Sequence, residues 1–153
     1  MEVEELLRRY AAGERDFRGV DLREAKLRDK RLSNIILSGA NLRGASLEGT
    51  HFIDADLSSS NCRDSHLAET IFQKVNLESA DFRGADFLQT LFLKSNLRKA
   101  NFSETLLTET SFNKSNVSQT NFRDAQLFSP SRFKQAVFDQ TIFPDGSIRD
   151  ALE

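Results

Sequence analysis

The chain has a single cysteine, Cys62, no tryptophan, one tyrosine, one methionine and two prolines in 153 residues. One cysteine excludes an intramolecular disulfide, and with it the stapled scaffolds of small extracellular domains. Apolar residues make up only 39% of the chain, and no apolar run approaches the roughly 20 residues that span a membrane. Neither sign of charge dominates: 23 acidic residues stand against 21 basic ones, so the strongly basic footprint of a nucleic-acid binder is absent. The first ten residues, Met1 to Tyr10, are too charged for a signal peptide and lack its apolar centre. These absences lead to the expectation of a soluble cytoplasmic protein with no membrane contact and with nucleic acid an improbable partner.

What the chain does have is a period. Stepping by five from Phe17 to Leu127 gives 23 positions, of which twelve are Leu and nine are Phe. The other two are Cys62 and Val117. Two residues before each lies a second series with eight Ala, six Thr, four Ser and two Val, broken only by Arg15, Lys30 and Ile35. Five residues advance an α-helix by about 500°, which would spiral the large residues around it. On a continuous strand an odd step would flip them from face to face. Three straight residues (small inward, polar outward, large inward) followed by a two-residue corner resolve the conflict. Gly19, Gly39, Gly44, Gly49 and Gly84 all fall at the second corner position, where turn residues belong. Repeated corners of one hand wind the chain into a coil whose turns stack at about 4.8 Å. Cys62 falls on the inward series and reads as a small core residue.

Phenylalanines separated by 20 residues (52/72, 72/92, 92/112, 82/102 and 102/122) outnumber the pairs separated by 15 (72/87 and 87/102). Like stacking on like therefore favours an even number of units per turn. Five pairs also lie ten apart, so the count alone leaves two sides and four open, although two sides leave little room for paired rings. Units such as Ala40-Asn41-Leu42-Arg43-Gly44 and Ala80-Asp81-Phe82-Arg83-Gly84 resemble the pentapeptide-repeat family, whose consensus is roughly Ala-(Asp/Asn)-Leu-x-x. The resemblance covers about residues 15–143. It implies an all-β solenoid, a right-handed quadrilateral β-helix with four units per coil. On that basis Phe52, Phe72, Phe92, Phe112 and Phe133 are predicted to form one stacked column, with Phe82, Phe102, Phe122 and Phe143 on a neighbouring one.

Three segments follow. Residues 1–13 read as a short capping helix: Val3, Leu6, Leu7 and Tyr10 make one apolar stripe, and Gly13 suits the C-terminal cap. Too short to stand alone, the helix is expected to lie as a lid on the first coil. Residues 14–143 form the β-helix, about 6.5 coils and roughly 30 Å long. Position 132 is Arg, and Phe133, Phe138 and Phe143 resume the series one residue late. A one-residue register shift is therefore expected near 129–132, at Ser129-Pro130. Residues 144–153 form a terminal turn and tail, with Phe143-Pro144-Asp145-Gly146 ending the ladder and Ile148 and Leu152 available to fold over the last coil. A basic cluster at Arg15, Arg18, Arg23, Lys26, Arg28, Lys30 and Arg31 is interleaved with Asp16, Asp21, Glu24 and Asp29, as on the solvated surface of a first coil.

No constellation asks for catalysis, and no cofactor or metal is expected. His51 and His66 sit at outward positions without metal-site spacing. A convex rod filled by its own side chains offers no substrate pocket. Two polar columns, Asp21, Asn41, Asn61, Asp81, Asn101, Asn121 and Asp56, Asn76, Asn96, Asn116, are read as hydrogen-bonded to nearby backbone and to each other. The outward apolar residues do not scatter. Ile53, Ile71, Leu91 and Leu93 belong to the side carrying Phe52, Phe72 and Phe92, and Leu88 precedes the corner leading into it, with Lys74, Lys94 and His51 at the rim. The reading is a non-enzymatic interaction or scaffold module that contacts a protein partner or a second copy through this lateral face. The alternative is mimicry of DNA toward an enzyme such as gyrase, as the resemblance implies for some members. Balanced charge and the lack of an obvious dimerising helix after the last repeat depart from that pattern.

Overall fold

The computed structural model describes all residues 1–153. Helix α1 (Val3–Ala11) is followed by six three-residue strands: β1 (Arg31–Ser33), β2 (His51–Ile53), β3 (Ile71–Gln73), β4 (Asp86–Leu88), β5 (Leu91–Leu93) and β6 (Leu106–Thr108). Two-residue strands β7 (Thr141–Ile142) and β8 (Ile148–Arg149) end the chain. β1, β2, β3 and β5 form one parallel sheet in which each strand pairs with the residue 20 positions on, as in Phe52 with Phe72 and Phe72 with Phe92. Parallel bridges with the same step run up the other sides, for instance 16, 36, 56, 76, 96 and 116. The coil is therefore four-sided. We number the faces by their first inward residues: Phe17, Leu22, Leu27 and Leu32.

One hydrogen-bond scheme repeats in each unit. The N–H of the large residue donates upward across the coils, as Leu37 does to Asp56 at 2.7 Å, and the second corner residue does the same, as Gly39 does to Ser58 at 2.8 Å. The residue before the large one donates downward, as Asn41 does to Val20 at 2.9 Å. In most units the next unit's small residue also closes the corner, as Ala40 does onto Leu37 at 3.0 Å. The second corner residue lies in the left-handed region even where this closure is missing, as at Asn34, Asp54, Lys74 and Lys94. All of these residues from Gly19 to Asp124 have φ between 51° and 70°, yet only five are glycine. An L-residue there costs on the order of 1 kcal/mol, which the two-sided ladder offsets. At Gly84 a side chain would also press on the Asp64 carboxylate of the coil below.

The interior is filled by the two inward series. From Ile35 to Ala125 every small-series residue is buried, and the hydroxyls among them are satisfied. Thr70 donates to the Leu47 carbonyl at 2.8 Å, Thr90 to Leu67 at 2.7 Å and Ser115 to Phe92 at 3.0 Å. Phe52, Phe72, Phe92, Phe112 and Phe133 stack with interplanar angles of 2–8° and centroid spacings of 4.8–5.3 Å. Phe82, Phe102 and Phe122 form the second column. It is not the neighbouring column that the sequence suggested. Ten residues are half a 20-residue coil, so the two columns rise from opposite faces. They meet edge to face across the core, as Phe92 and Phe102 do at 5.5 Å and 86°.

The upper end departs from the sequence reading in three ways. Leu127, the last member of the unbroken series, points outward at 61% exposure with φ +56°, and Phe128 turns in against Phe122, Phe133 and Phe143. Between these departures lies the one-residue shift read from the late Phe133, Phe138 and Phe143: the ladder step changes from 20 at Leu106/Gln126 to 21 at Asn116/Val137. Phe143 is buried, but it meets Phe128 and Phe138 rather than extending the stack of Phe122. Ile148 does not cover the last coil: it pairs with Ile142 across β7–β8 and is 67% exposed, while Leu152 does pack on the core.

At the lower end α1 lies on the first coil with Leu6 fully buried. A Schellman motif closes the helix, with Gly13 N–H donating to Tyr10 and Glu14 N–H to Arg9. Two groups stand in for the absent coil below. The Tyr10 hydroxyl accepts from Ser33 N–H at 2.8 Å and donates to Ser33 O at 3.0 Å. The Met1 ammonium donates to Asp21 O at 2.7 Å.

Candidate interaction surface

The Asx columns end at the backbone. Each of the ten residues named in them accepts, through Oδ1, the N–H of the residue two positions on, at 2.9–3.2 Å. That N–H belongs to the first corner residue and would otherwise lack an acceptor. Only Asn96 and Asn76 also bond to each other side chain to side chain, at 3.2 Å. The fourth face carries no Asx at the equivalent positions (Arg31, His51, Ile71, Leu91), and it is the face that forms the continuous four-stranded sheet. Asn96→Ala should cost about 1 kcal/mol, and Asn96→Asp, which keeps the acceptor, should cost little. Equal thermal melts for the two variants would show that the cap has no weight.

The basic cluster of the first coil is partly paired where it stands. Arg18 pairs with Asp16 at 2.6 Å and Arg23 with Asp21 at 2.7 Å, and Arg15 lies over the Tyr10 ring at 4.0 Å. Hydrogen bonds from those arginines hold the carboxyls of Asp16 and Asp21 below the usual range. The sequence reading missed a second feature, a column of Arg23, Arg43, Arg63, Arg83 and Arg123 along the corner after the second face. It too is interleaved with acids: Arg43 meets Asp64 at 3.0 Å and Arg83 meets Asp81 at 2.6 Å. The surface concavities are open and lined chiefly by such charged residues.

Cys62 is fully buried, and burial pushes its thiol up to about 12 despite the Ser60 hydroxyl beside it at 3.4 Å. The reactive thiolate is therefore scarce at pH 8. A thiol reagent should leave the native protein unlabelled for hours at pH 8 and label it rapidly in denaturant. Fast stoichiometric labelling of folded protein would contradict this burial.

The apolar residues singled out on the fourth face are brought together in part. Ile71 and Leu91 are direct cross-strand partners. Ile53 and Leu93 share one column with Gln73 between them. Leu91 is 39% exposed and Leu88 44%, while Ile53, Ile71 and Leu93 are half-buried. Leu88 ends β4 on the third face, separated from Leu91 by the corner residue Gln89 and the inward Thr90. The sequence reading missed Leu106, 45% exposed and diagonal to Leu88 through the β4–β6 pairing. A scan of outward positions on the third face as well as the fourth would have found it.

A four-sided parallel coil with five residues per side, small and large residues inward and a left-handed residue at each corner defines a pentapeptide-repeat β-helix. The family profile for the pentapeptide repeat region matches residues 45–122, and the profile for pentapeptide repeats in eight copies matches residues 16–52. The chain belongs to the pentapeptide-repeat family. It is similar to alr5209 of Nostoc PCC 7120, a pentapeptide repeat protein, at 27% identity over 90% of this chain and 95% of that one, with a TM-score of 0.42. It is also similar to HetL of Nostoc sp. strain PCC 7120, a pentapeptide repeat protein involved in heterocyst differentiation regulation: 22% identity, 97% and 100% coverage, TM-score 0.35. Full-length QnrB1, a plasmid-mediated fluoroquinolone resistance protein, matches at 15% identity over 81% of this chain and 91% of that one, with a TM-score of 0.36. No curated protein sequence matches significantly. No helix is long and apolar enough to cross a membrane.

Proposed function

We propose that this protein is a non-enzymatic interaction module that docks a protein through the fourth face of its rod. The observation that carries the reading is the pairing of Ile71 with Leu91 on an open sheet surface, with Leu88 and Leu93 beside them. Isolated exposed apolar residues are normal on any protein, and β-branched residues suit a strand surface. A contiguous patch on one lateral face more often marks an interface. Mimicry of DNA would need a surface of one sign. Here the net charge is −2, and arginines alternate with carboxylates along the rod.

The test is Ile71→Glu combined with Leu91→Glu. Both side chains reach solvent, so the fold is expected to persist, with an unchanged far-UV spectrum. Buried at an interface, the two new charges should reduce association about a hundredfold or more. Unchanged sedimentation together with unchanged retention of protein partners would remove this face from consideration.

A further inference from the structure

The edges of the fourth face are charged in opposite senses. At the corner leading into it, Glu69, Gln89 and Glu109 stack coil on coil, with Gln89 donating to Glu109 at 2.7 Å. At the corner leading out, Lys74, Lys94 and Lys114 stack in the same way. All six are exposed. Neither the two glutamates nor any lysine enters an ion pair within the chain, because all nine pairs are made by arginine. At the three levels of Ile71, Leu91 and Ser111 the face thus runs from an edge of Glu69, Gln89 and Glu109 to an edge of Lys74, Lys94 and Lys114, whereas one level below the same columns hold Gly49 and Asp54.

Such a strip is self-complementary in one orientation only. Two copies packed face to face are related by a twofold axis lying in the interface plane. With the axis parallel to the rod, each level meets the same level of its mate with left and right exchanged. Glu69 then faces the second copy's Lys74, Glu109 faces its Lys114, and Leu91 faces its Leu93. With the axis across the rod, lysine edge meets lysine edge and glutamate meets glutamate, which is repulsive. Resting on the reading of this face as an interface, we propose that its occupant is a second copy of this chain, docked face to face with the two rods parallel.

The strip is about 10 Å wide and, over three coil levels, about 15 Å long. That is well under the ~800 Å² per partner of a standard interface, so the dimer is weak, concentration-dependent and sensitive to salt. Sedimentation velocity up to about 500 μM protein, a range that reveals association near the millimolar-to-micromolar boundary, reads it directly. The wild type should show a reversible dimer that dissociates as salt rises from about 50 mM to about 500 mM. Lys74→Glu with Lys114→Glu should weaken dimerisation about tenfold or more, by setting acid against acid. Adding Glu69→Lys and Glu109→Lys to that variant should restore it, because the edges are again complementary in the parallel arrangement. A monomer at every concentration, or a dimer indifferent to these substitutions, overturns the proposal. So does failure of the four-fold swap to restore association while its thermal melt matches wild type. If the wild type is monomeric yet retains a protein partner that Ile71→Glu/Leu91→Glu loses, the second copy is wrong and the lateral interface stands. If neither association is seen, both readings fall.

Discussion

Phe92→Ala should destabilise the protein by about 3–5 kcal/mol, a large part of the roughly 5–15 kcal/mol that holds most domains folded. The Phe92 ring is fully buried and lies flat between Phe72 at 4.8 Å and Phe112 at 5.1 Å. The edges of Phe82 and Phe102 close it in from the opposite face, and Phe87 touches it at 6.1 Å. Truncation removes the transfer free energy of the ring and its aromatic pairings, each about 0.5–1.5 kcal/mol. It also leaves a cavity that cannot collapse, because the 20-residue ladder fixes the coil spacing on both sides. Phe92→Leu should recover about half of the loss. Denaturant unfolding followed by circular dichroism checks both. A loss below about 1 kcal/mol for the alanine variant would mean that the neighbouring rings relax into the space and that the stack is not a rigid spine. A solenoid is stabilised by nearest-neighbour contacts, so the damage should be read along the rod. Hydrogen exchange in the variant should accelerate first in the coils holding Phe72, Phe92 and Phe112.

Leu77→Asp is expected to be as severe at neutral pH, costing about 3–5 kcal/mol. Leu77 is fully buried in the apolar core, in the column of Leu57 and Leu97 on the first face. The carboxylate loses its hydration and gains no partner. The pH dependence gives this prediction its signature. Burial raises a carboxyl's folded-state pKa above its unfolded value. The folded state therefore binds the proton more tightly, and the variant regains stability as pH falls through that raised value. Wild type has the opposite tendency. The carboxyls of Asp16, Asp21 and Asp145, held low by hydrogen bonds, favour the fold above the ordinary carboxylate range and lose that contribution as pH falls through it. Melting temperatures from pH 7 to pH 4.5 should thus converge, with the variant gaining on wild type. A constant gap would show that the aspartate has reached water by rearranging the coil.

The amino-acid sequence by itself determined the unit and the inward residues. Each five-residue unit passes the same burial test independently, so the pattern repeats until chance cannot explain it, while the spacing of Phe favoured an even number of units per turn and left two and four open. The backbone role of the Asx columns was legible for a similar reason, since Asn or Asp two residues before a corner has a local acceptor role wherever it occurs. What the sequence left open is whatever depends on residues far apart in the chain. The two Phe columns face each other because ten residues are half a turn, a relation that exists only once the coil has closed. Between the adjacent apolar residues Leu127 and Phe128, only the waiting rings of Phe122, Phe133 and Phe143 select Phe128 as the inward one. Ile148 stays outside because β8 returns antiparallel to β7 and spends its backbone hydrogen bonds there. The apolar strip was half visible: Ile71 and Leu91 share a face by arithmetic, but Leu106 and the opposed edges of glutamate and lysine come together only when 20-residue coils stack at the spacing of a β-ladder. Patterns that each unit must satisfy on its own are written locally; surfaces built from one residue per coil are decided by the tertiary ladder that aligns them.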